Sequence, residues 1–257
     1  LEFRRVLFRS ADVKADARGC GFDLCGIAPA VQPAETVHFP EWLARGYAGS
    51  MGYLGRSVDA RMDVRVLAPW AQSVIVTGTV YNTNRPYSVE RTEPGRAVVS
   101  RYAWGDDYHT VVGARLETLA QALRTRAAAA GQPIEVRAYV DGGPVHERAY
   151  ARLAGLGWIG RHTLLINREL GSWLFLGVIV CSLPLEPDEP VADLCGTCTL
   201  CLEACPTQAF PEPGVLDATR CISYLTIEHR GPIPDALQDR KSTRLNSSHV
   251  SESRMPS

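Results

Sequence analysis

The 257-residue chain (28.1 kDa) has 46% hydrophobic and 21% charged residues, an ordinary globular composition with enough apolar mass for a sizeable core, which excludes disorder or collagen as its overall state. Its net charge of −1 hides two basic ends: residues 1–10 and 239–257 each contribute +2, leaving a body of −5 that can meet nucleic acid only through a local patch. The longest apolar run, Trp173 to Cys181, stops at Ser182 and Pro184, short of the roughly 18–20 residues of a membrane-spanning helix, so no membrane partner is expected.

In chain order, LEFRRVLFRS has neither the long apolar region nor the cleavage site of a secretory signal and is taken as a non-native leader. ADVKADARG predicts a helix end closed by Gly19, and FDLCGIA a strand ending at Pro29. Residues 40–71 predict helix and loop, SVIVTGTVY a strand, and the polar stretch from Asn82 to Val99 a surface loop. Val112, Leu116, Leu119 and Leu123 share one helical face, and Gly131 with Pro133 ends that helix. IEVRAYV alternates as a strand and delivers Asp141 to its C-terminal end. A helix over Glu147–Leu153, a flexible Gly-rich turn GLGWIG and the buried strand WLFLGVIV follow. Alternating helices and strands make residues 11–185 one α/β domain, followed by a Pro-rich linker and a cysteine-rich segment at 186–238. The Ser-, Arg- and Asn-rich residues 239–257 break from this patterning and are taken as a non-native tail.

Cys195, Cys198, Cys201 and Cys205, followed by Pro206, have the C-x2-C-x2-C-x3-C-P spacing of bacterial ferredoxins. There the first three thiolates hold one cubane cluster, and the fourth, pointing away, ligates a second. Zinc is the alternative, but structural zinc usually pairs two separated C-x2-C knuckles, and no second knuckle is present. Iron–sulfur chemistry implies a reducing compartment, so a cytoplasmic protein is expected. Two clusters need four thiolates apiece, and this segment offers those four plus Cys221. Cys20, Cys25 and Cys181 lie in apolar strand contexts and are read as inert buried thiols. Three ligands are therefore expected beyond Leu237, and the chain is read as a truncated two-cluster protein.

Three segments carry candidate catalytic groups. Asp141, before Gly142, Gly143 and Pro144, is either a turn aspartate or a carboxylate exposed at the end of a sheet. GLGWIGRHTLLIN presents Arg161, His162, Thr163 and Asn167. SRYAWGDDYH packs Arg101, Tyr102, Asp107, Tyr108 and His109 together, as a site or as core aromatics beside solvated charges.

DGGPVHER, AGLGWIGRHTLLINRELGSWLFLG, CGTCTLCLEACPTQAF and CISYLTIEHRGPIP, in this order, resemble the epoxyqueuosine reductases, cobalamin-dependent iron–sulfur enzymes of queuosine synthesis in tRNA. SRYAWGDDYH and GFDLCGIAPA fit as well, so the resemblance spans about residues 11–238. It implies an α/β (α+β, nitroreductase-like) cobalamin-binding domain, followed by an incomplete ferredoxin-like module with two 4Fe-4S clusters. One cluster would draw on Cys195, Cys198 and Cys201, the other on Cys205 and Cys221.

The resemblance further implies that reduced cobalamin removes the epoxide oxygen of epoxyqueuosine at the tRNA wobble position, with electrons from an external donor entering through the clusters. Asp141 matches the family's proton donor, and burial beside the corrin, shielded by Trp158 and the Gly-rich turn, would raise its pKa. Arg61, Tyr102, Tyr108, Asp141, Arg161, His162, Asn167 and Ser223 are the expected cofactor shell. Cobalamin is expected without an axial histidine, and the protein as a monomer. Gly142 and Gly143 stand where the family often has a small hydroxyl residue and another small one, which should loosen the turn but leave the carboxylate available. The competing readings are a ferredoxin-type electron carrier, disfavoured by the long α/β domain, and a corrinoid reductive dehalogenase, disfavoured by the lack of a twin-arginine signal.

Overall fold

The structure, a computed structural model, describes residues 9–87 and 99–237. The leader at 1–8, the far part of the polar loop and the tail from 238 lie outside the described residues. Helix α1 (Ser10–Gly19) precedes strand β1 (Leu24–Pro29), and three short helices follow: α2 (Phe39–Ala44), α3 (Val58–Met62) and α4 (Val64–Leu67). Strand β2 (Ser73–Val80) leads to the long helix α5 (Tyr108–Ala129), strand β3 (Val136–Tyr139) and helix α6 (Glu147–Leu153). The short strands β4 (Trp158–Ile159) and β5 (Leu165–Ile166) then precede β6 (Leu174–Cys181).

β1, β2, β6 and β3 form one sheet in that order, and every pairing is antiparallel. Its residues alternate between two cores. Ile27, Ile75 and Ile179 face α1 and α5, whose Val13, Val112, Leu116, Leu119 and Leu123 are all but inaccessible. Val74, Val76, Val178 and Val180 face the other layer, where Val64, Ala68, Tyr150 and Ala151 pack. Because both faces are covered, β2 and β6 are nearly continuous apolar runs, a pattern more often met in parallel sheets. Alternating helices and strands thus correspond to a three-layer α+β fold around an antiparallel sheet.

GLGWIG is not the flexible turn expected of it. β4 pairs with β5 in a hairpin, with Trp158 opposite Ile166 and Ile159 opposite Leu165. Gly157 is required there because a Cβ would stand 2.2 Å from the Ile166 carbonyl oxygen.

Past Leu185, Asp188 ties the linker to the sheet: its carboxylate accepts from the Ile27 N–H at 2.8 Å and pairs with Lys14. The last segment holds helices α7 (Leu200–Glu203) and α8 (Ile222–Ile227). Its small core of Ala218, Tyr224 and Leu225 is completed by Trp42 and Met51. Trp42 donates to the Leu216 carbonyl at 2.7 Å, and the Tyr224 hydroxyl accepts from the Ser50 N–H at 2.7 Å. The cysteine-rich segment therefore shares its core with the helical part that follows β1.

Candidate functional site

At the end of β3 the chain makes a tight turn. The Gly142 N–H reaches back to the Val140 carbonyl at 2.5 Å, and Asp141 between them is left-handed, with φ of 55°. This is a γ-turn of the rare handedness, strained for a residue with a Cβ. Three partners surround Asp141. Tyr108 Oη donates to Oδ2 at 2.6 Å, His109 Nε2 lies 3.6 Å from Oδ2, and the Asp141 N–H donates to Glu147 Oε1 at 2.7 Å. Gly143 is indispensable because a Cβ would meet the Tyr139 ring at 2.4 Å, whereas Gly142 has room. The turn is thus packed on one side rather than loose.

Asp141 stands at the mouth of an open cleft of about 340 Å³ lined by Tyr81, Tyr102, Tyr108, Glu147, Arg148, Leu164, Leu165, Ser172, Leu174, Phe175 and Leu176. One wall is aromatic: Tyr108 lies parallel to Phe175 with ring centroids 4.4 Å apart, and Phe175 packs on Tyr81 at 4.5 Å. Helix α5 presents Tyr108 here because Asp107 caps it, accepting the His109 N–H at 3.0 Å. Nearby, the buried Arg101 binds Asn82 and the Thr83 and Arg85 carbonyls and stacks on Tyr87 and Trp173. It pins the loop beside the cleft and is not presented to a ligand.

The Asp141 side chain is 64% exposed in the protein alone, and Trp158, expected to shield it, points its indole N–H at Cys195 Sγ instead, 3.3 Å away. The desolvated carboxyl is that of Glu147. Burial, with some help from the charge of Asp141, pushes it up to about 7, against the Asp141 N–H and Arg148. Arg148 borders the same cleft, and its guanidinium donates to the Thr163 carbonyl at 2.7 Å. Neither Glu147 nor Arg148 was singled out from the sequence, although DGGPVHER contains both; only the fold returns the start of α6 to the turn after β3.

The expected cofactor shell divides. Tyr102, Tyr108 and Asp141 line the cleft. Arg161 donates to the Gly196 carbonyl at 2.6 Å and so braces the cysteine loop. Asn167 is consumed by backbone: its amide donates to the Leu156 carbonyl at 2.7 Å, its Oδ1 accepts from Glu169 and Leu170, and it borders a separate cavity with Lys14 and Asp188. His162 caps its own turn through Nδ1 and is pushed down by burial and by Arg148. Ser223 is exposed on the first turn of α8. Arg61 lies 6.0 Å from the Tyr53 ring, and its buried Nε has no hydrogen-bond partner.

All eight cysteines are free thiols. The Cys198 N–H closes a turn onto the Cys195 carbonyl at 2.9 Å, and α7 carries Cys201. Cys205 Sγ accepts the Ala209 N–H at 3.3 Å and lies 3.6 Å from the Thr207 hydroxyl; against its burial, these contacts hold its pKa below the ordinary thiol value. Thiolates that receive N–H bonds suit a cluster, whose potential such bonds tune. Among the described residues no three Cys, His, Asp or Glu side chains gather as ligands of a single ion. A cleft with an aromatic wall and a carboxylate at its mouth, backed by a cysteine run of ferredoxin spacing, marks an iron–sulfur redox protein.

Comparison with known proteins gives the family. The family model described as epoxyqueuosine reductase QueG, DUF1730 matches residues 61–142, and a 4Fe-4S double cluster binding domain matches residues 194–248. An epoxyqueuosine reductase of Gloeobacter violaceus is 43% identical over 90% of this chain and 70% of its own length. Among solved structures, an epoxyqueuosine reductase with an epoxyqueuosine-modified tRNA-Tyr stem loop superposes with a TM-score of 0.81 at 29% identity, over 96% of this chain and 64% of that one. Another, from Bacillus subtilis with its catalytic aspartate loop swung out of the active site, gives 0.79 at 28% identity over the same shares. The chain belongs to the epoxyqueuosine reductase family and spans about two thirds of the length of the relatives it matches.

Proposed function

We propose that this chain is the catalytic part of an enzyme that reduces epoxyqueuosine to queuosine at the wobble position of tRNA, with cobalamin in the cleft and 4Fe-4S clusters on the cysteine-rich segment. The observation that carries this reading is Asp141, its carboxylate held by Tyr108 and its backbone N–H by Glu147, at the mouth of an aromatic-walled cleft. The cleft fits a corrin in kind: Tyr108 and Phe175 offer a flat apolar face, and Tyr102 adds a hydroxyl.

Cobalamin, when bound and reduced, supplies the electrons that break the carbon–oxygen bond. Overall, two electrons and two protons convert the epoxide to an alkene and water. The opening epoxide leaves an oxygen that needs a proton as its bond breaks, and Asp141 donates it, with Tyr108 orienting the carboxyl through Oδ2. Electrons from an external donor pass through the clusters, and the cytoplasm, where thiols stay reduced, is the compartment. The swung-out aspartate loop of the Bacillus subtilis structure gives the Asp141 turn a catalytic precedent.

The test uses a version of the protein extended to the length of its relatives. Asp141→Asn should lower turnover of epoxyqueuosine in tRNA by about 100-fold or more, the usual worth of a general acid, while cobalamin binding followed by its visible absorption survives. Near-native turnover in that variant would assign the proton elsewhere, to His162 or Tyr108 in the first instance.

A further inference from the structure

We infer that Glu147 is the positioning residue of this site, a latch that holds the Asp141 turn in its strained shape by accepting the Asp141 backbone N–H. This rests on the reading of Asp141 as the proton donor, but its observations stand apart from that reading. A left-handed γ-turn centred on a residue with a Cβ persists only where its surroundings over-determine it. Asp141, at φ 55° between the Val140 carbonyl and the Gly142 N–H, is such a turn.

The partners on its carboxylate, Tyr108 and His109, act on the side chain and leave the backbone free to flip. Glu147 acts on the backbone, 2.7 Å from the Asp141 nitrogen. It occupies the first position of α6, with its own N–H given to the Val145 carbonyl, and α6 is anchored in the core by Ala149, Tyr150 and Ala151. The acceptor is therefore fixed to the rigid layer under the sheet while the donor sits on the turn. Gly143 packed against the Tyr139 ring closes the other side. A carboxyl group is chemically suited to this task, because it offers an acceptor oxygen in either protonation state and binds the amide more strongly once ionised above about pH 7. The charge of the neighbouring Arg148 offsets part of the cost of burying this carboxylate.

Amide hydrogen exchange on this chain, without substrate or cofactor, tests the latch in the native sequence, Glu147→Ala and Glu147→Gln. Read at pH 8, where Glu147 is ionised, loss of its hydrogen bond should speed exchange at Asp141 by about tenfold or more in the Ala variant. Gln keeps an oxygen acceptor of the same reach and should restore most of the protection. Amides of β6 should exchange alike in all three. In the extended protein, Glu147→Ala should lower kcat and leave KM for the tRNA unchanged, with Gln recovering most of the rate.

Equal exchange at Asp141 in all three proteins would overturn the latch. So would a rise in the Ala variant spread over α6 and β6, since Glu147 would then be holding the helix and not the turn. Native-like turnover of Asp141→Asn would remove the catalytic role of Asp141 and leave the exchange result standing, so the two failures are distinguishable.

Discussion

Two neighbouring residues at the start of α6 are perturbed in opposite directions, with opposite consequences for stability. Glu147 is raised from 4.5 to about 7 by burial, so the folded state keeps a proton that the unfolded chain has released between those values. Stability from this group is complete below pH 4.5 and is lost as pH rises through 7, a loss of about 3 kcal/mol. His146 is lowered from 6.5 to about 4 by burial, then by Arg148 and Arg61; its contribution is complete above pH 6.5 and is lost as pH falls through 4. Between pH 4.5 and 6.5 the two slopes oppose each other, and the native chain should show little net dependence from them. Glu147→Gln removes one slope. Relative to the native chain it should gain about 3 kcal/mol between pH 4.5 and pH 8, measured by urea unfolding across that range. A difference independent of pH would mean that Glu147 is solvated in solution. At this scale the sequence made Asp141 legible, through its place between an alternating strand and Gly142, Gly143 and Pro144. It did not make Glu147 legible, because a glutamate at a helix start is ordinarily a solvated first-turn acid, and its burial depends on the turn folding back over it.

The elements were legible where a periodicity was strong. The face of Val112, Leu116, Leu119 and Leu123 predicts α5, and the apolar run ending at Cys181 predicts β6. Strand direction was not, since a strand buried on both faces shows no alternation and reads the same in parallel and antiparallel sheets. Glycines are equally ambiguous in sequence and sharply distinct in structure. Gly26 in β1 faces the end of α6, where a Cβ would lie 2.1 Å from the Ala154 carbonyl oxygen and 2.4 Å from Leu156 Cδ1. The obstacle is partly backbone, so Gly26→Ala must push sheet and helix apart and should destabilise by about 1–3 kcal/mol, the range of overpacked cores. Gly113 lies inside α5 with nothing within 4 Å of its Cβ position and an ordinary helical backbone, so Gly113→Ala should stabilise by about 0.5–1 kcal/mol. Thermal unfolding of the two variants should move in opposite directions. A Gly26→Ala protein as stable as the parent would show that α6 does not seat on β1 as described.

Across the whole molecule, the linker after Leu185 does not separate two independent bodies. Gly214 donates to the Arg161 carbonyl at 2.8 Å, Arg161 donates to Gly196, and Trp158 donates to Cys195, so the β4–β5 hairpin touches the cysteine loop while its Leu164 and Leu165 line the cleft. One hairpin thus bridges the thiols and the cavity. The number of thiols limits what this chain can load. Cys181 is inaccessible inside β6, and the half-buried Cys20 and Cys25, at the end of α1 and in β1, lie outside the cysteine-rich segment, with all three thiols raised by burial. Cys195, Cys198, Cys201, Cys205 and Cys221 remain for a segment that matches a double-cluster domain, while two cubane clusters take four thiolates each. After anaerobic reconstitution this chain should therefore hold well under the roughly eight iron and eight sulfide that two 4Fe-4S clusters contain, and what it holds should be lost readily to a chelator. A version extended to the length of its relatives should reach the full complement and retain it. Cys195→Ser should lower iron in both, whereas Cys181→Ser should leave it unchanged. Two complete, chelator-resistant clusters on the 257-residue chain would overturn this assignment of ligands and require thiols from a second copy of the chain.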